Sequence, residues 1–120
     1  MSHVLKQRTE SKVEYKDGAF IESYHAGSVS SLLKENCPNS YLWDYDLGTY
    51  TETWELYTDE LEKYLKELKK EPLKNQILIS NGKFSITVEY MINLIENLLR
   101  IQRQNQFNLQ YPDLVILDWI

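Results

Sequence analysis

Carboxylates crowd one stretch of this 120-residue chain. Between residues 41 and 64 stand Asp44, Asp46, Glu52, Glu55, Asp59, Glu60 and Glu62, against the single base Lys63. The same stretch holds seven of the fifteen aromatic side chains. Acids interleaved with aromatics suit a recognition surface, in which carboxylates attract a basic partner and rings anchor it. The alternative is a solvated face: the rings fill the core and the acids stay in water. Asp44-x-Asp46 followed by Glu52 superficially matches a calcium loop, but the EF-hand spacing, its glycine at loop position 6 and its closing glutamate are missing. An acid–base carboxylate pair depends on separation in space, which spacing along the chain leaves open.

The soft ligands are His3, His25 and Cys37, too scattered to form a metal-binding spacing. A Cys37–His25 nucleophilic pair is formally conceivable, although a free cysteine usually behaves as a small buried hydrophobe. Gly27-Ser28-Val29-Ser30-Ser31 could cradle a phosphate at a helix start. It lacks the lysine and glycine spacing of a P-loop, and serines at such a place are commonly caps. No cofactor is implied by any of these groups.

Eighteen acids against thirteen bases leave a net charge of −5, which argues against a nucleic-acid partner, since that needs a basic stripe. One cysteine excludes an internal disulfide, and the expected compartment is the reducing cytoplasm. No run approaches the roughly 18 apolar residues of a membrane helix. The opening MSHVLKQRTESK is polar, so residues 1–11 are expected to be a flexible start without a signal peptide. Length and apolar content fit a single domain over 1–120.

Three hairpin signals precede three helical patterns, and a final strand ends the chain. In the third hairpin, Asn81-Gly82 is a preferred turn pair. Placed as the two-residue loop, it sets Ile79 opposite Phe84 and Ile77 opposite Ile86, all on one buried face. An alternative begins the following helix early, at Ser85. In the second hairpin, a Leu47-Gly48 turn pairs Tyr45 with Tyr50 and Tyr41 with Trp54, gathering the aromatics on one side. The first is weaker: an Asp17-Gly18 turn pairs Tyr15 with Phe20 but leaves Val13 opposite Glu22. Helices are expected over 30–36, from an N-cap at Thr58 to Lys70, and over roughly 89–105. Leu61, Tyr64, Leu65 and Leu68 form the inward stripe of the second. Met91, Leu94, Leu98 and Ile101 mark the third as core, not as an exposed interface. The apolar run LVILDWI reads as a strand buried on both faces, in which Asp118 must reach solvent or hydrogen-bond partners.

The expected fold class is therefore α+β: a mainly antiparallel sheet of hairpins with three helices, in the order ββα-ββα-ββα-β. The function these properties favour is non-enzymatic: an acidic protein that neutralises a basic protein partner, such as an immunity protein or antitoxin against a nuclease toxin. Asp44, Asp46, Glu55, Asp59 and Glu60 are its candidate partner-binding residues. A structural or assembly adaptor of a phage or mobile element, oligomeric, is the alternative. A small enzyme with a site assembled in space stands third.

Overall fold

The computed structural model describes residues 4–9, 15, 17–42, 53–104 and 111–120. Among these residues nine elements follow in chain order: β1 (Leu5–Gln7), β2 (Phe20–Ile21), α1 (Ser23–Asn36), β3 (Thr53–Tyr57), α2 (Thr58–Lys69), β4 (Ile77–Asn81), β5 (Phe84–Thr87), α3 (Val88–Gln104) and β6 (Leu114–Trp119). The fold is α+β, with every strand pairing antiparallel. A four-stranded sheet has the order β2-β1-β6-β3, and β4-β5 forms a separate two-stranded sheet.

Residues 4–9 are not a flexible start. Leu5 and Gln7 are buried, and β1 lies between β2 and β6. A three-residue strand is too short to show alternation in a polar context, so its place is set by partners at both edges. Gln7 crosses the core as a satisfied polar group: its side-chain amide donates to the Leu98 carbonyl at 2.9 Å, and its side-chain oxygen accepts the Ala19 N–H. The turn expected at Asp17-Gly18 closes one residue earlier: the Gly18 N–H donates to the Tyr15 carbonyl, with Asp17 at φ 58°. Aspartate tolerates this left-handed conformation better than most residues. Phe20, however, pairs with Lys6 and not with Tyr15. A Cβ on Gly18 would stand 2.3 Å from the Gln7 carbonyl oxygen, so only glycine lets the chain pass β1 so closely.

The sheet buries Leu5, Gln7, Ile21, Trp54, Leu56, Val115 and Leu117 on the face that meets the helices. Strand alternation places Lys6, Phe20, Thr53, Glu55, Tyr57, Ile116 and Asp118 on the other. β6 is buried on both faces, as its apolar run requires, because Ile116 and Asp118 are also nearly inaccessible. Helix α2 turns Leu61, Tyr64 and Leu68 inward, and α3 buries Met91, Leu94, Leu98 and Ile101. Thr58 is the first residue of α2 and not its N-cap; Tyr57 holds that place without a side-chain cap bond. Past the end of α2, the Lys74 ammonium donates to the carbonyls of Lys69 and Glu71, a cation where the helix dipole favours one.

Helix α1 begins seven residues earlier than its expected start at 30. Its Gly27, Ser28 and Ser30 are poor helix formers, but Ala26, Val29, Leu32 and Leu33 are buried by tertiary packing, which outweighs propensity. The third hairpin forms with its loop one residue later than expected. Asn81 pairs with Phe84, leaving Gly82-Lys83 as the loop with Gly82 at φ +61°. Glycine at the first central position is the requirement of a type II′ turn. The shift, with an irregularity between Ile77 and Ile79, breaks the expected apolar face. Ile86 is buried, whereas Ile77 and Phe84 are 56% and 42% exposed. A Cβ at Gly82 would touch nothing within 4 Å, so Gly82→Val pays only for conformation. A loss of about 1 kcal/mol or more in a urea melt is expected.

Candidate functional site

Strand β3 runs directly into α2 at Tyr57–Thr58, carrying acids and tyrosines out together. Glu55 and Tyr57 lie on the sheet face away from the helices, and both are exposed. Outside β3, Tyr41 makes an antiparallel bridge to Glu55: each backbone N–H donates to the other's carbonyl at 2.9 Å. The expected partner was Trp54. That one-residue difference moves Tyr41 to the opposite face, so Trp54 is fully buried while Tyr41 is 54% exposed. Tyr41, Glu55 and Tyr57 therefore share one outward surface, with Asp59 exposed in the first turn of α2.

Glu60 has a different task. Its carboxylate accepts the Asn39 backbone N–H at 3.1 Å and the Ser40 hydroxyl at 2.8 Å. The Ser40 oxygen in turn accepts the Tyr57 N–H. This chain ties the turn after α1 to the start of α2 and sets Tyr41 beside β3. Glu60 thus holds the Tyr41 segment in place through Asn39 and Ser40. Asp59 accepts the Glu60 N–H at 2.8 Å and stabilises the helix start. A shallow groove beside them is lined by Asp59, Glu60, Glu67, Lys63 and Asn39. Asp44, Asp46, Trp43 and the Leu47-Gly48 turn lie outside the described residues, as does His3.

Sequence reading missed the strongest ionic contact of the described residues. The Arg8 guanidinium grips Asp118 with both prongs, Nε to Oδ2 and Nη2 to Oδ1, each at 2.7 Å. Thr53 and Tyr15 hydroxyls donate to the same carboxylate at 2.9 and 3.3 Å. Asp118 is thus buried and fully hydrogen-bonded, which meets the expectation for a carboxylate inside an apolar strand. Its hydrogen bond holds Arg8 above its ordinary value, while burial and then the neighbouring carboxylate push the Tyr15 hydroxyl up. The group ties the end of β1 to β3 and β6 on the sheet face away from the helices. Arg8 carries no sequence signal of its own because its neighbours are polar.

The other candidates fare differently. His25 lies in the first turn of α1 and Cys37 just past its end, about 18 Å apart along the axis, so they do not form a pair. Gly27–Ser31 lies within α1, where its amides belong to the helix. Among the described residues, no group of three or more His, Cys, Asp or Glu could hold a metal ion.

Burial, followed by the Glu60 and Asp59 carboxylates, pushes the Cys37 thiol up to about 12. Burial, followed by Cys37 and Glu35, takes the Tyr64 hydroxyl up to about 12. Both native values lie above those of the unfolded chain, near 9 and 10, so the native state keeps protons that the unfolded state has released. Their contribution is complete below about pH 9 and declines as pH rises towards 12. Urea melts at rising pH are expected to show this alkaline loss, and Cys37→Ala should reduce its slope. An unchanged midpoint up to pH 11.5 would contradict it.

Comparison with protein-family models, characterised proteins and solved structures gives no match to this chain.

Proposed function

We propose that this chain is a non-enzymatic acidic binding domain that engages a basic protein through the Tyr41–Glu55–Tyr57–Asp59 surface, as an immunity protein or antitoxin does when it blocks a nuclease toxin. The observation that supports this reading most is the exposure of Tyr41, across from Glu55, and of Tyr57, two residues along the same strand, since core packing does not account for these two rings. Tyrosine supplies large, rigid contact area at binding hot spots, and carboxylates supply long-range attraction. Asp44 and Asp46 join the proposal through their nearness in sequence, and Glu60 through its hold on the Tyr41 segment.

The test is capture from the native cell at low salt with two baits, wild type and Glu55→Lys/Asp59→Lys. The reading expects a basic protein retained by wild type, released near 0.5 M salt as screening shortens the field, and not retained by the variant. Equal retention by both baits, or retention only of acidic proteins, would overturn it.

A further inference from the structure

We draw no further inference here: the strongest candidate, the exposed aromatic patch where Tyr24 stacks on Phe84 beside His25 at the junction of α1 with the β4–β5 hairpin, is an unpartnered apolar face, and nothing in the structure shows what covers it.

Discussion

Deleting Val115 to Ile120 is expected to abolish folding, not to trim a tail. These residues form most of β6, which pairs with β1 along one edge and with β3 along the other. Without it, Leu5 and Trp54 lose their cross-strand neighbours Trp119 and Leu117, and both rows of backbone groups lose their partners. Val115, Ile116 and Leu117 are all buried, and burying each such side chain contributes about 1.5–3 kcal/mol. Their loss alone is comparable to the roughly 5–15 kcal/mol that holds a whole domain together, before the broken ladders and the orphaned Arg8 are added. Far-UV circular dichroism and a urea titration would read the result. The shortened chain should show no cooperative transition, and a melt like that of the intact protein would contradict the placement of β6 at the centre of the sheet.

Arg8→Ala is expected to destabilise the domain by about 2–3 kcal/mol, somewhat below the ~3–5 kcal/mol seen when one member of a fully buried pair is removed. The reduction follows from exposure: 21% of the Arg8 side chain still meets solvent, against 8% for Asp118. The cost arises because the carboxylate stays buried and, among the described residues, is left with the Thr53 and Tyr15 hydroxyls. Replacing both partners with apolar residues, Arg8→Met with Asp118→Leu, removes the stranded charge and should recover most of the loss. Denaturant melts of the two single variants and the double variant form the required cycle. A single-variant loss below about 0.5 kcal/mol would mean that the pair behaves as a surface ion pair.

Arg8 also marks the boundary of what the sequence discloses. Long periodic segments were legible: the stripes of α2 and α3, and the doubly buried run of β6 with its need to satisfy Asp118. In each, many residues repeat one requirement, so the pattern exceeds the noise. Three-residue β1 offers no such repetition, and its burial depends on strands more than ten residues away in sequence. The hairpin at Gly82 was legible as a hairpin but not in register. Asn-Gly favours a loop with both residues at positive φ, whereas the chain uses glycine alone at the first loop position. Ile77 and Phe84 are consequently exposed instead of sharing the core with Ile86.

The acid-rich segment shows the same limit at the candidate site. Its composition was plain, and the burial of Trp54 and Leu56 agrees with their expected strand face. The register that turns Tyr41 outward was not legible. It depends on Glu60 and Ser40 holding the turn after α1 against the end of β3, a set of contacts spanning about twenty residues. Glu55, Asp59 and Glu60 looked equivalent by charge, yet Glu60 is occupied by Asn39 and Ser40 while Glu55 and Asp59 stand exposed.

Stopped-flow association with the captured basic protein, at about 0.05 M salt where the Debye length exceeds 10 Å, measures the proposed attraction directly. Exposed single pairs contribute only about 0–1 kcal/mol each, so the effect should come from the summed field and appear mainly in the on-rate. Reversing Asp44, Asp46, Glu55 and Asp59 to lysine together is expected to slow association by roughly ten-fold or more. The melting temperature should change by no more than a few degrees, because Glu55 and Asp59 are exposed and the main folded-state loss is the Asp59 carboxylate at the start of α2. Equal association rates for wild type and the reversed variant would contradict an acidic docking face and return these carboxylates to plain solvation.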